Sequence, residues 1–224
     1  HRCCAGGCCG FGADDAIANL EATAANGLGY EPLNWCHEYM RLSICIPTYN
    51  FGPFIGQTID SIVSNLQDGV ELVILDGGST DETDAVVAQK QRDCSQITYH
   101  KQGFRGGIDR DIATVVSLSK GEYCWLFSAD DIMKSGAIAR VLEHLRSNAD
   151  VYLCEHSICD NDLRFIQEYP VFKGVAPHKV FQLRDVPQRQ RYFRSARTSE
   201  AFFSFLSGPI FSRAVWERAA GIPD

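Results

Sequence analysis

Two adjacent carboxylates, Asp130 and Asp131, follow an apolar run that extends from Tyr123 to Ser128. A continuous apolar run of this length is typical of a strand that is buried on both faces, as in a parallel sheet. Ligands of open α/β sheets bind at the carboxyl ends of such strands. Because buried carboxylates require a cationic partner, the pair could hold a divalent metal that carries a phosphate. The alternative is that Asp131 caps the next helix and Asp130 faces water.

Two further polar loops follow strand-like runs. The later of the two begins at Asp76, and the two glycines after it leave backbone that a flat ring could approach. Together with the acid pair, these loops suit the base and ribose of a mononucleotide. The sequence has neither the GxGxxG pattern of dinucleotide-binding folds nor the GxxxxGK[ST] phosphate loop. The first loop offers a rigid turn, a hydroxyl, an aromatic ring and an amide: Pro47, Thr48, Tyr49 and Asn50.

The elements that must position these loops alternate regularly after Met40. Ser79 and Glu82 form a capping-box pattern at the second helix, and Gly121 is placed to end the third as its C′ residue. Such alternation predicts an α/β fold, a Rossmann-like three-layer α/β/α sandwich with a mostly parallel central sheet. The expected strands are 42–47, 70–75, 97–100, 123–128 and 151–154, and the expected helices are 53–66, 79–91, 108–119 and 135–146.

The pattern is looser beyond Asp160. The segment from Arg184 to Arg197 contains five arginines and little apolar periodicity, so we expect an exposed loop or a frayed helix. It could lie over the site or against anionic lipid. Further expected elements are strands at 165–172 and 180–183, a helix at 200–206, the GPIF run and a helix from 212 to about 220.

Composition narrows the class of protein. The 224 residues carry a net charge of −7, which argues against nucleic acid as the main partner. No apolar run approaches the roughly 18 residues of a membrane-spanning helix, and no signal peptide is recognisable. Of the ten cysteines, Cys45, Cys124 and Cys154 lie in strand-like runs, where a thiol behaves as a small hydrophobe. We therefore expect a cytoplasmic protein, with peripheral contact at the inner face of the cell membrane left open.

Residues 1–39 do not match the rest of the chain. They are rich in Ala, Gly and Cys, and their one helical pattern, 16–25, has Asp14 or Asp15 as its N-cap. The CCAGGCC cluster lacks the spacing of paired zinc dyads. The first strong strand begins directly after Met40, so we expect a native start there and a single domain over residues 40–224.

The motifs PTYN, LDGGSTDET and the strand that ends in an acid cluster resemble the family 2 glycosyltransferases with the GT-A fold. LSICIPTYN, the segment from Gly107 to Arg110, and YCWLFSADDI are most similar to abequosyltransferase-type enzymes of O-antigen synthesis. The resemblance covers Met40 to about Leu153 and, more loosely, Gly208 to Asp224.

The resemblance implies a site for a donor nucleotide. Thr48 and Tyr49 would line the base pocket, Asp76 would hydrogen-bond the base, and Arg110 would approach the diphosphate or ribose. Gly77 departs from the family, because many members have a second acid at that position. The implied nucleotide-binding residues are Pro47, Thr48, Tyr49, Asn50, Asp76, Arg110 and Asp130.

The resemblance also implies a metal, Mg²⁺ or Mn²⁺, held by Asp130 against the diphosphate, with Asp131 as a ligand or as its support. Magnesium needs only one or two protein carboxylates when phosphate oxygens complete its shell. Ser128 and Ala129 depart from the family, since the usual earlier acid of this motif is missing.

The implied reaction is inverting transfer of a sugar, with a deoxyhexose as one option, from a nucleotide diphosphate-sugar to a glycan or lipid-linked acceptor. In the family the general base lies after a segment that resembles residues 208–224, so we expect it beyond Asp224. The alternative is a non-catalytic module that binds the nucleotide-sugar without turnover. Ser128 and Ala129, together with the expected base beyond Asp224, motivate that alternative.

Overall fold

The computed structural model describes residues 2–5, 40–169, 179–197 and 206–220. The strands are β1 (Arg2–Ala5), β2 (Leu42–Thr48), β3 (Val70–Asp76), β4 (Ile97–Lys101), β5 (Tyr123–Leu126), β6 (Ile132–Met133), β7 (Val151–Leu153), β8 (His156–Cys159), β9 (Phe165–Tyr169) and β10 (Pro209–Ser212). The helices are α1 (Gly52–Val63), α2 (Thr83–Asp93), α3 (Ile108–Leu118), α4 (Ala137–Leu145), α5 (Val186–Arg197) and α6 (Arg213–Ala220).

The central sheet has six strands in the order β4-β3-β2-β5-β10-β7. The first four run parallel to one another, as the alternation of strands and helices predicts. β10 is inserted between β5 and β7 and runs antiparallel to both. The predicted α/β fold with a mostly parallel sheet is therefore confirmed.

Helices cover both faces of this sheet, and β2 and β3 are therefore buried along their whole length. Alternate side chains of a strand point to opposite faces. Ile44 packs in one core with residues of α1, α2 and α4. Cys45 packs in the other core with residues of α3 and, through Phe211 and Trp216, of β10 and α6. The continuous apolar runs in the sequence thus reflect burial on two sides.

A second sheet has the order β6-β1-β8-β9, and β6 begins directly after the acid pair. β9 corresponds to the described part of the strand expected at 165–172. The expected strand at 180–183 is wrong, since those residues form coil and a turn. The arginine-rich segment contains a helix of twelve residues, α5. The helices expected at 16–25 and 200–206 fall on residues that the structure leaves undescribed, apart from Leu206.

Two expected helix signals are wrong. Glu82 occupies the N-cap position of α2 without a side-chain capping bond, and Ser79 is used elsewhere, in the turn after β3. Asp81 instead accepts hydrogen bonds from the backbone N–H and hydroxyl of Thr83, at 3.0 and 2.5 Å. Gly121 does not end α3, whose C-cap is the extended Ser119. A Cβ at position 121 would lie 2.5 Å from the backbone N of Ser43, so close packing explains this glycine.

None of the helices within the described ranges is both long enough and apolar enough to cross a membrane. Cys45, Cys124 and Cys154 are buried, in keeping with their expected role as small hydrophobes. Cys3 and Cys4 lie in β1, whereas Cys8 and Cys9 are outside the described residues.

Candidate functional site

The loops after β2 and β3 are fixed to each other at one edge of the sheet. Thr48 and Asp76, the last residues of the two strands, lie opposite each other in the parallel register. Asn50 has a φ of 59°, in the left-handed region that asparagine tolerates better than most residues. Its backbone N–H donates to the Ser79 hydroxyl at 2.8 Å, and its side-chain oxygen accepts from the backbone N–H of Thr80 at 2.9 Å. Asn50 therefore joins the loop after β2 to the loop after β3, and its place in the nucleotide site stays a prediction.

The carboxylate of Asp76 is 0% exposed, and both of its oxygens have protein partners. Oδ1 accepts a hydrogen bond from the backbone N–H of Ser79 at 2.6 Å, and Oδ2 accepts one from the Tyr99 hydroxyl at 2.8 Å. Burial, and then the hydrogen bond to Asp76, raise the pKa of Tyr99 above its usual range. The phenol thus stays protonated and acts as the donor. In this structure Asp76 organises the turn.

A pocket of about 280 Å³ opens beside these loops. Arg105 was not predicted, although an arginine between glycines in the loop before α3 was a visible signal. Its guanidinium carbon lies 4.6 Å from the ring centroid of Tyr49, which is cation–π distance. The pocket is lined by Pro47, Thr48, Tyr49, Phe51, Arg105, Gly107, Ile108 and Asp111, and three of these were predicted from the sequence.

Two polar groups in this lining are buried, and one of them lacks a partner. The Thr48 side chain is 3% exposed, and its hydroxyl has no hydrogen-bond partner among the described residues. Asp111, also unpredicted, is 5% exposed and accepts a hydrogen bond on Oδ1 from Gln102 at 3.1 Å. Leaving a buried polar group unsatisfied costs about 1–3 kcal/mol, so such groups in a pocket indicate a ligand.

Arg110, which the sequence singled out, lies outside this lining. It is exposed on α3, and its guanidinium carbon lies 4.8 Å from the ring centroid of Phe104, itself exposed. Its aliphatic part runs beside Gly106, since a Cβ there would lie 3.1 Å from Arg110 Cδ. Arg110 therefore sits next to the loop that contributes Arg105 to the pocket.

The acid pair occupies the loop after β5, the strand beside β2, and neither acid lines the pocket. Asp130 is half-buried, and its Oδ1 accepts a hydrogen bond from the Ser128 hydroxyl at 2.5 Å. Asp131 is 6% exposed, and it accepts a short hydrogen bond from the hydroxyl of Ser207. Asp130 is thus the more accessible of the two.

Ser207 was not singled out in the sequence, yet it joins the acid loop to the start of β10. Its hydroxyl oxygen accepts the backbone N–H of Ser128 at 2.9 Å while donating to Asp131. Its carbonyl accepts the indole N–H of Trp125 at 2.9 Å. No local pattern in the sequence marks this serine, because its partners are distant along the chain.

The donor set of the acid loop fits a metal that also has non-protein ligands. Over the described ranges, no group of three or more His, Cys, Asp or Glu side chains is placed to hold a metal ion. A Mg²⁺ or Mn²⁺ ion with one or two carboxylates and several phosphate or water oxygens requires no such group. Asp130 suits the role of that carboxylate, with Asp131 beside it.

Comparisons with known proteins place the chain in a family. The sequence model of the family described as glycosyl transferase family 2 matches residues 43–211. Abequosyltransferase RfbV of Salmonella typhimurium is 29% identical over 183 residues, which cover 80% of this chain and 54% of that protein. The chain thus spans about half the length of this relative, and the predicted resemblance to abequosyltransferase-type enzymes is confirmed.

Solved structures show the same fold. Mannosyltransferase PcManGT from Pyrobaculum calidifontis, in complex with GDP-Man and Mn²⁺, is 20% identical and matches 82% of this chain and 47% of its own, with a TM-score of 0.56. TarS 1–349 from S. aureus, in complex with UDP-GlcNAc, is 20% identical over 81% of this chain and 48% of its own, with a TM-score of 0.59. The predicted GT-A type fold is confirmed.

Proposed function

Because this chain belongs to glycosyl transferase family 2, we propose that it takes part in transfer of a sugar from a nucleotide diphosphate-sugar to a glycan or lipid-linked acceptor. The observation that carries this proposal is the pocket at the carboxyl ends of the strands, with Thr48 and Tyr49 in its lining and Asp130 on the loop of the neighbouring strand. Relatives with matching folds bind GDP-Man and UDP-GlcNAc. The relative RfbV favours O-antigen or related polysaccharide synthesis as the pathway.

In the proposed complex the base enters the pocket beside Tyr49, and the Arg105 guanidinium supplies positive charge near the phosphates. Asp76 fixes the turn between the two loops through Ser79 and Tyr99. Asp130 would hold Mg²⁺ or Mn²⁺, and the ion would supply positive charge for the diphosphate leaving group. The transfer is proposed to be inverting: the acceptor oxygen bonds to the anomeric carbon as the bond from that carbon to the diphosphate breaks, and the acceptor proton passes to a general base.

The first experiment measures thermal stabilisation of the protein by UDP-, CDP-, dTDP- and GDP-sugars, with and without Mn²⁺ or Mg²⁺. We expect one nucleotide to raise Tm more than the others, and the metal to increase that shift. Asp130→Ala should abolish the metal-dependent part, because the carboxylate is the proposed ligand. Asp68→Ala is the matched control, since Asp68 is exposed in the loop before β3, away from the carboxyl ends of the strands. If no nucleotide-sugar shifts Tm under any condition, the proposal fails.

A non-catalytic nucleotide-sugar-binding module is the second candidate, favoured by Ser128 and Ala129 in place of an acid. It predicts the same thermal shifts as an active transferase. The two are separated by incubating the full-length gene product with the stabilising donor and lipid-linked or glycan acceptors. Release of nucleoside diphosphate that depends on acceptor supports the transferase, and binding without release supports the module.

A further inference from the structure

The buried carboxylate of Asp111 has one oxygen that the described residues leave unused. Gln102 donates to Oδ1 at 3.1 Å, while Oδ2 has no hydrogen-bond partner in the described part of the chain. The side chain belongs to the lining of the same pocket as the unpartnered hydroxyl of Thr48. The Thr48 hydroxyl is fully buried, whereas Asp111 Oδ2 is not among the fully buried atoms and so remains accessible from the pocket. A ligand in the pocket that presents an N–H or O–H can therefore donate to Asp111 Oδ2.

Two glycines make the room that this carboxylate occupies. A Cβ at Gly77 would lie 2.7 Å from Asp111 Oδ2, and one at Gly106 would lie 2.8 Å from Oδ1. Gly77 does not have the positive φ of its neighbour Gly78, so the space and not the backbone conformation accounts for glycine at position 77. The α3 carboxylate thus stands where a side chain from the end of β3 would otherwise project.

We propose that Asp111 is a specificity-determining residue that accepts an N–H from the base of the donor nucleotide, while the Thr48 hydroxyl bonds a neighbouring polar atom of the base. This inference rests on the proposed function, because it assumes that a nucleotide fills the pocket. An ionised carboxylate only accepts hydrogen bonds. It pairs with the ring N–H of uracil or thymine or with the amino group of cytosine, and it rejects a base that presents a lone pair at that point.

The test compares Asp111→Asn with the wild type in calorimetric titrations with UDP, CDP, dTDP, GDP and inorganic pyrophosphate. Loss of a bond to a charged group should weaken the best nucleotide about tenfold, which corresponds to about 1.4 kcal/mol. The ranking of the bases should also change, because an amide can donate as well as accept. Pyrophosphate, which has no base, should bind both proteins equally.

Asp109→Asn is the matched control. Asp109 lies in the same first turn of α3 and carries the same charge, but it is exposed and does not line the pocket. Asp109→Asn should leave the affinity for every ligand within about twofold of the wild type, since exposed charges at a helix start have small effects. Unchanged binding in Asp111→Asn, or an equal loss for all nucleotides and pyrophosphate, overturns the inference while the proposed function stands. If the wild type binds no nucleoside diphosphate, the proposed function and this inference fail together.

A second test uses the proximity of Gly77 and Asp111. Gly77→Ala should displace the carboxylate and weaken nucleotide binding, but it should add little in an Asp111→Ala background, as expected for two coupled sites. Gly77→Asp combined with Asp111→Ala returns a carboxylate to this space from the end of β3. This double variant should bind the preferred nucleotide more tightly than Asp111→Ala alone. Two outcomes would count against the proposal: additive losses of affinity when Gly77→Ala and Asp111→Ala are combined, or no recovery of affinity when Gly77→Asp is added to Asp111→Ala.

Discussion

A single hydroxyl, that of Ser207, connects the acid loop to the strand that is inserted beside β5. It accepts the backbone N–H of Ser128 and donates to the buried carboxylate of Asp131. Ser128 and Asp131 flank Ala129 and Asp130, so these two bonds hold both ends of the segment that contains Asp130. The position of the proposed metal ligand therefore depends on a residue that makes no contact with the metal in this scheme.

Replacing this hydroxyl tests the dependence. Ser207→Ala should lower the free energy of unfolding by about 1–3 kcal/mol, because it removes one hydrogen bond to a buried carboxylate and one to a backbone N–H. It should also reduce the metal-dependent part of the thermal shift. Urea unfolding followed by circular dichroism measures the first effect. Ser64→Ala, at an exposed serine that bonds only a helix carbonyl, should change stability by less than about 0.5 kcal/mol.

Single residues divide clearly into those that the sequence could reveal and those that it could not. Pro47, Thr48 and Tyr49, which line the pocket, could be predicted because they lie at the carboxyl end of a strand, where ligands of parallel sheets bind. Asp111 was missed because its role depends on space left by Gly77 and by the loop before α3. One signal was available: Asp111 precedes the buried Val115 by four residues, which places an acid on the buried face of a helix.

At the scale of elements, α5 exposes apolar side chains that no contact within the fold explains. Most of its described side chains are exposed, and these include Arg189, Arg191 and Arg194 and the apolar Val186 and Phe193. Exposed apolar groups beside cations suit a surface that meets anionic lipid headgroups. We therefore propose that α5 and the residues before it form a peripheral membrane contact, which would bring the site to a lipid-linked acceptor.

Charge reversal in α5 is the corresponding prediction. Arg189→Glu with Arg191→Glu should reduce sedimentation of the protein with phosphatidylglycerol-containing vesicles by several-fold, since each basic residue near such a surface contributes about 1 kcal/mol. Binding to neutral phosphatidylcholine vesicles should stay low for both proteins. Arg92→Glu with Arg146→Glu changes the net charge equally at exposed positions on α2 and after α4. If this control pair loses as much vesicle binding as the α5 pair, a specific contact is excluded.

The order of the sheet could be predicted only in part. Strands β2 to β5 follow from short strand–helix connections, which place successive strands in parallel on a right-handed path. β10 could be recognised as the GPIF run, but its antiparallel position between β5 and β7 could not. Nothing local in four residues specifies a partner, and the choice is made by burial of Ile210 and Phe211 in the two cores.

At the scale of the whole molecule, the second sheet introduces a pH-sensitive group. His156 in β8 is 4% exposed and stacks on Tyr169 with a centroid distance of 5.1 Å. Burial, and then the nearby Lys134, lower the pKa of His156 below its usual value, although Glu168 opposes them. The unfolded chain therefore binds a proton on this residue more readily than the folded protein does.

The sign of the effect on global stability follows from that difference in proton binding. The contribution of neutral His156 to the free energy of unfolding is fully present above its unfolded pKa of about 6.5. It is lost as the pH falls from there through the lowered folded pKa. Urea unfolding at pH 7.5 and pH 5 should show a lower free energy of unfolding at pH 5. This decrease should be smaller in His156→Phe, whose ring retains the stacking. His144→Phe serves as the comparison at a histidine of α4. An identical pH dependence in wild type and His156→Phe would contradict the prediction.

The insertion of β10 also has a consequence for how the protein is made. Ribosomes deliver β2 to β5 first, and chains generally begin to fold before synthesis ends. The bond from the Trp125 indole to the Ser207 carbonyl spans 82 residues, so β5 is an unpaired sheet edge while those residues are being translated. Exposed strand edges promote aggregation, and contacts of such long separation form slowly. The acid loop and the edge of the nascent sheet are thus completed by the same late event, the docking of Ser207 and β10 beside β5.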